Sequence, residues 1–260
     1  MNLKQKLDYH YKSFDKSQIS PDPLQFLHLY KDEKDIEIVG FISSVFAYGN
    51  VKQIINTLEK IFNAAGSSPY QFVLDFNEKH GGKNLNGIKH RFYGEKDLMY
   101  FFITLSGILL QYKSLKKLFM TFYSAEDRNI KNALSGFSGY FIDAVKYYAG
   151  GKDISRGIKF MFPLPELGSA CKRMNLFLRW MIRKDELDFG LWSEIPANKL
   201  IIPVDTHVAR ICKLLKLTGR KSVDWRMAEE ITGNLMMYDP VDPVKYDFAI
   251  CHIGMRKMIF

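Results

Sequence analysis

Ile201-Ile202-Pro203-Val204-Asp205-Thr206-His207-Val208-Ala209-Arg210 is the most informative stretch of this 260-residue chain. Its first four residues are apolar and include a proline, which reads as an extended approach rather than helix interior. Asp205 then stands where a helix begins, because Val208, Ile211, Cys212 and Leu215 repeat at helical spacing. Aspartate is a preferred N-cap, its carboxylate accepting the free N–H groups of the first turn. Taken alone, such an aspartate is a plain cap. His207 has no second metal ligand at useful spacing.

The helical period extends outward through nearly the whole chain. Val51, Ile54, Ile55, Leu58, Ile61 and Phe62 follow it, as do Leu98, Phe101, Phe102, Leu105 and Leu109, and Leu115, Leu118, Phe119 and Phe122. Ile36–Phe46 is apolar on almost every side, the pattern of a helix in the middle of a bundle. No alternating β-branched run with hairpin turns stands out. The expectation is an all-α protein of roughly ten to twelve helices. Ser20-Pro21-Asp22-Pro23 should open a helix. Gly66–Pro69, Gly81-Gly82, Gly150-Gly151 and Asp239–Pro243 read as loops, and 80–94 as a long connection.

Composition narrows the class. Hydrophobic residues make up 47% and charged residues 25%, which excludes a disordered or fibrous chain. Three scattered cysteines, Cys171, Cys212 and Cys251, exclude a disulfide framework and a CxxC zinc pattern. The opening MNLKQKLDYHYKSF lacks the apolar run of a secretory signal, and Tyr100–Leu110 is too short to span a bilayer. The expectation is an intracellular, reducing, cytoplasmic location with no membrane partner.

The net charge of +9 favours an anionic partner. Between Arg156 and Lys221, 13 Lys/Arg face six Asp/Glu, a local balance of +7. Inside that window, Pro163-Leu-Pro-Glu-Leu-Gly168-Ser-Ala-Cys171 forms a Pro/Gly turn feeding a helix that starts near Lys172. A turn of this kind exposes backbone N–H groups to a phosphate. Lys172, Asn175/Leu176, Arg179 and Arg183 would share one stripe, with Met174, Phe177, Leu178 and Met181 facing the core. A lysine at the positive end of a helix dipole is favoured in its neutral, nucleophilic form. Read without that context, Lys172 is an ordinary surface lysine.

Pro203–Arg210 resembles the segment bearing the catalytic aspartate in the helix-hairpin-helix/Gly-Pro-Asp superfamily of DNA glycosylases, which includes endonuclease III and the 8-oxoguanine glycosylases. Over nearly its full length the chain is similar to a bacterial family known only as a domain of unknown function. Ala47-Tyr48-Gly49-Asn50, His90-Arg91-Phe92 and Tyr246-Asp247-Phe248 belong to that similarity. Among characterised proteins it most resembles the archaeal 8-oxoguanine glycosylases. Most of the superfamily has a Leu-Pro-Gly-Val-Gly-type hairpin and a lysine about 18 residues before the aspartate. Here that position is Leu187, and Lys172 lies 33 residues upstream (205 − 172), a spacing similar to the archaeal branch.

The resemblance implies two helical lobes with an interlobe cleft. One, at 36–182, would end in the hairpin and the Lys172 helix. The other, at 1–35 plus 183–260, would carry Asp205. It further implies a base-excision repair glycosylase with AP lyase activity, acting on an oxidised purine such as 8-oxoguanine. Lys172 and Asp205 would be catalytic, with Lys184 and Lys199 as fallback lysines. Gly168, Ser169, Arg173, Arg179, His207 and Arg210 would contact DNA. Tyr48, His90, Phe92, Trp180 and Trp192 are candidates for the base pocket. The four-cysteine set of endonuclease III relatives has no counterpart here, so no iron–sulfur cluster, metal or other cofactor is expected. The expected partner is double-stranded DNA with a damaged base, met by a nucleoid-associated monomer. The rival readings are a non-catalytic DNA-binding helix-hairpin-helix protein and a helical scaffold whose charge serves solvation.

Overall fold

The computed structural model describes residues 1–77 and 85–256. Gly81-Gly82 and part of the expected 80–94 connection lie outside the described residues. Along the chain run α1 (Leu3–Lys12), α2 (Glu33–Phe46), α3 (Val51–Ala65), α4 (Pro69–Leu74), α5 (Glu95–Tyr112) and α6 (Leu115–Met120). After these come α7 (Lys131–Tyr148), α8 (Arg156–Met161), α9 (Lys172–Ile182), α10 (Thr206–Leu214), α11 (Trp225–Met236) and α12 (Asp247–Arg256). Pairing of the β type is confined, among the described residues, to the isolated bridges His90–Tyr93 and Lys184–Phe189. The fold is all-α. No helix among the described residues is long and apolar enough to cross a membrane.

Two compact units emerge. A central unit comprises 21–124 and 132–163, and a terminal unit comprises 1–20, 125–131 and 164–260.

In the central unit α2 is the axis. Every residue from Asp35 to Phe46 is buried, as its all-round apolar sequence demands. Phe41 meets Phe101, Phe137 and Phe141, and Phe162 stacks on Phe101 and Phe141. Its two buried acids cap other helices. Glu37 accepts the N–H groups of Leu115 and Lys116 at the start of α6. Asp35 accepts from the Ser68 hydroxyl and the Tyr70 N–H at the start of α4. The segment opened by Pro21–Pro23 is a 3₁₀ turn, Pro23–Leu29, capped by Asp22. Phe26 of that turn packs on Phe62, which ties it to this unit.

In the terminal unit α10 and α12 run so close that a Cβ added at Gly254 would lie 3.2 Å from His207 Cβ and Ile211 Cγ1. Helix α1 joins through Tyr11, whose hydroxyl donates to Asp185, and through Asp8, which accepts from the Tyr246 hydroxyl.

This division differs from the expected one. The boundary at 182/183 separates Lys172 from Asp205, whereas both fall within 164–260. Side chains and backbone of α9 are tied to residues C-terminal to it. Arg179 and Arg183 pair with Asp188, Asp242 and Asp247, Phe177 packs on Trp192, and the Trp180 carbonyl accepts the Phe189 N–H. Residues 21–35 move the other way, because the 3₁₀ turn lies against α2.

Candidate active site

Leu200–Val204 is buried, outside any helix, and flanked by extended backbone at Leu200 and Asp205, so the chain enters α10 in a fixed direction. Asp205 is the N-cap. Its Oδ1 accepts the N–H groups of His207 at 2.8 Å and Val208 at 2.9 Å. Its Oδ2 lies 2.9 Å from Lys172 Nζ. One oxygen thus starts the helix and the other holds the amine. The Asp205 and Lys172 side chains are 21% and 30% exposed, so the pair is partly desolvated.

Lys172 is the first residue of α9 and is set by the turn before it. Gly168 adopts φ +81° and Cys171 φ +48°, both left-handed, which turns the chain sharply into the helix. A left-handed residue bearing a β-carbon is strained, and such strain persists only where surroundings over-determine it. Here they do. Buried Asn175 donates from Nδ2 to the Ala170 carbonyl, Cys171 N–H donates to Ser169 Oγ, and Trp225 N–H donates to the Gly168 carbonyl.

Electrostatics sort the groups around the pair. Burial pushes the Asp205 carboxyl up, but the Lys172 ammonium and the Val208 N–H more than offset it, and the net position is below the usual carboxylate range. Asp205 is therefore an anion at neutral pH. Burial pushes the Cys171 thiol up to about 12. Cys212, also raised by burial and by the nearby Asp247 and Asp205, is likewise a neutral thiol. Neither cysteine offers a thiolate beside the lysine.

A second carboxyl, Asp247, opens α12 and is 2% exposed. Its Oδ2 is held by Arg179 Nη1, and its buried Oδ1 has no hydrogen-bond partner among the described residues. Burial raises its pKa to about 6 against the pull of Arg179 and Lys172, with Asp205 adding to the rise. It couples to the catalytic candidates without touching solvent. Sequence reasoning includes this residue in the family similarity but gives it no role in the site. Its one signal there is an acid between Tyr246 and Phe248 at an apolar helix start.

The remaining predicted residues divide. Gly168 and His207 are exposed, Ser169 is half-buried, and exposed Arg210 donates to the Gly254 carbonyl. Arg173 is 6% and Arg179 is 2% exposed, which removes both as phosphate contacts. The basic stripe expected on α9 is inverted. Arg179 and Arg183 lie inside an ion-pair network with Asp185, Asp188, Asp242 and Asp247, the last two from outside the 156–221 window, so these two cations are neutralised internally. Trp180 and Trp192 are fully buried core and present no face to a base. Among the fallback lysines, Lys199 donates to the Ala125 and Asp127 carbonyls and Lys184 is exposed beside the Phe189 bridge.

Tyr48, His90 and Phe92 come together, but in the central unit. His90 is 2% exposed and its ring is engaged by the Tyr48 carbonyl and Thr57 Oγ1, so it is a structural histidine. Phe92 is 45% exposed. Among the described residues no group of three His, Cys, Asp or Glu is placed to hold a metal ion.

Comparison with curated proteins and with solved structures returns no match. A family model described as "Protein of unknown function (DUF2400)" matches residues 22–256. That match spans most of the chain, which therefore belongs to the DUF2400 family.

Proposed function

We propose that the protein is a DNA N-glycosylase with AP lyase activity, of the helix-hairpin-helix/Gly-Pro-Asp kind, acting on an oxidised purine such as 8-oxoguanine. The observation that carries this reading is the 2.9 Å approach of Lys172 Nζ to Asp205 Oδ2, each at the start of its own helix and each partly open. The sequence resemblance picks out the same two residues. The two-lobe glycosylase architecture, a monomer on double-stranded DNA and a nucleoid location belong to the same proposal.

At rest the amine is the ammonium half of an ion pair and has no lone pair to donate. Entry of the flipped nucleotide, which costs a few kcal/mol of unstacking, displaces water and lets the proton leave Nζ. The lone pair then forms an N–C1′ bond while the bond from C1′ to the base nitrogen breaks. Its electron pair departs with the base, which takes up the proton released by Nζ. The Asp205 anion stabilises the positive charge that develops on the sugar. An amine proton passes to the ring oxygen as the ring opens to a protonated Schiff base, and loss of a C2′ proton to water expels the 3′ phosphate with the C3′–O electron pair.

Borohydride trapping tests this on duplexes carrying 8-oxoguanine or an abasic site. Wild type should give a covalent adduct and Lys172→Gln none. An adduct that persists in Lys172→Gln sinks the lysine assignment. If no lesion in such a panel gives either base release or an adduct, the pair is a structural ion pair and the enzymatic reading fails.

A further inference from the structure

The central unit carries a second cluster that the Lys172–Asp205 pair does not use. Tyr48, Phe92 and Phe160 pack ring to ring, with centroids 4.7 Å apart for Tyr48–Phe160, 5.7 Å for Phe92–Phe160 and 6.2 Å for Tyr48–Phe92. Two guanidiniums lie on this cluster. Arg91 Cζ is 5.3 Å from the Tyr48 centroid and 5.5 Å from that of Phe92, and Arg156 Cζ is 5.1 Å from that of Phe92.

The cluster is fixed in place. The Tyr48 hydroxyl donates to the His90 carbonyl and accepts the Phe92 N–H. Between them Arg91 is forced to φ +53°. Its side chain runs over Gly49, itself at φ +97°, where an added Cβ would lie 2.9 Å from Arg91 Cδ. A non-glycine residue held in this region by its neighbours is strain that needs a reason. Buried packing is not that reason, because Arg91 and Arg156 are exposed and Phe92 and Phe160 are 45% and 37% exposed. Apolar rings and cations are displayed together at the surface.

Charge sets the partner. Neither Arg91 nor Arg156 has a carboxylate within ion-pair distance among the described residues, in contrast to Arg179 and Arg183 of the terminal unit. Lys159, three residues on from Arg156 along α8, is also exposed. Unneutralised guanidiniums held at fixed positions match phosphodiester oxygens. Exposed rings beside them match the planar face of a base, which is free only when that base is unpaired. A duplex offers the phosphates without the faces.

We propose that Arg91, Phe92, Arg156 and Phe160 form a binding platform for an unpaired nucleic-acid strand, the guanidiniums taking phosphates and the rings taking a base. This does not rest on the enzymatic reading of Lys172.

Fluorescence anisotropy of the full chain with a labelled oligothymidylate tests the proposal. A duplex of equal length and phosphatidylserine vesicles are the comparison probes. The oligothymidylate should bind in preference to the duplex at low salt. Phe92→Ala should weaken it by about tenfold or more, the scale of one base–aromatic stack. Phe92→Trp should retain binding. Arg156→Gln should weaken binding and lower the salt slope by about 0.7. Oligothymidylate carries no oxidised purine and its binding needs no lysine chemistry, which separates this outcome from failure of the glycosylase reading. Preference for the duplex or for vesicles overturns the proposal, as does no binding at all. So does unchanged affinity in both Phe92→Ala and Arg156→Gln, with thermal unfolding confirming that both are folded.

Discussion

Lys172 Nζ and Asp205 Oδ2 lie 2.9 Å apart, although 33 positions separate them in sequence (205 − 172). Two turns make that approach. The left-handed Cys171 aims α9, and the buried Leu200–Val204 segment aims α10. Asp205 serves both helices, capping one and pairing with the first residue of the other.

Its two oxygens can be tested separately. Asp205→Ala loses the cap and should cost about 1 kcal/mol, with little more from the partly exposed ion pair. Asp205→Asn keeps a good capping oxygen and should unfold near the wild-type temperature. On the proposed chemistry it nevertheless loses adduct formation. Equal destabilisation by the two variants would show that the ion pair, not the cap, carries the stability.

Asp247 gives a pH signature. Its folded-state pKa of about 6 lies above the unfolded value of about 4, so the native state binds the proton more tightly. Stability from this group is therefore fully present below about pH 4, falls as pH rises toward about 6, and is flat above it. Asp188 is also raised by burial and contributes in the same direction. Asp185 and Asp205, both lowered, act below that window. Melting temperatures of wild type and Asp247→Asn between pH 4 and 7 isolate the effect. The variant should show the shallower fall, and parallel curves would remove Asp247 from the account.

Arg179 bonds both Asp188 and Asp247, and all three are buried. Removing one partner of a buried ionic cluster leaves charge uncompensated. Arg179→Met should lose about 3–5 kcal/mol in urea unfolding. A loss below about 1 kcal/mol would mean that the carboxyls simply protonate in its absence.

Gly49 and Gly151 both have positive φ, at +97° and +77°, but only Gly49 meets a side chain. Gly151→Ala reports backbone strain alone, expected at about 1 kcal/mol. Gly49→Ala adds the clash with Arg91 and should cost more. Equal melting temperatures would show that Arg91 moves aside freely.

Helical periodicity is enough to establish the all-α class, and the apolar run at Ile36–Phe46 identifies the buried axis of the central unit. The cap at Asp205 and the helix start at Lys172 are also readable, because capping and turn chemistry are local. The chain boundaries of the two units are not. They depend on ion pairs and ring contacts between residues far apart in sequence, such as Arg179 with Asp247 and Arg183 with Asp242.

The arginines show the limit most clearly. Counted in sequence, Arg179 and Arg183 look like the basic face of α9. In the fold they are buried against Asp185, Asp188, Asp242 and Asp247, while Arg91 and Arg156 lie exposed on aromatic rings with no ion-pair partner among the described residues. The sequence by itself determined the helices, the caps and the identity of the two candidate reactive groups. Only the tertiary structure decided which cations are spent inside and which face outward. A charge count sums over the whole chain, whereas neutralisation depends on the few ångströms that folding places between particular groups.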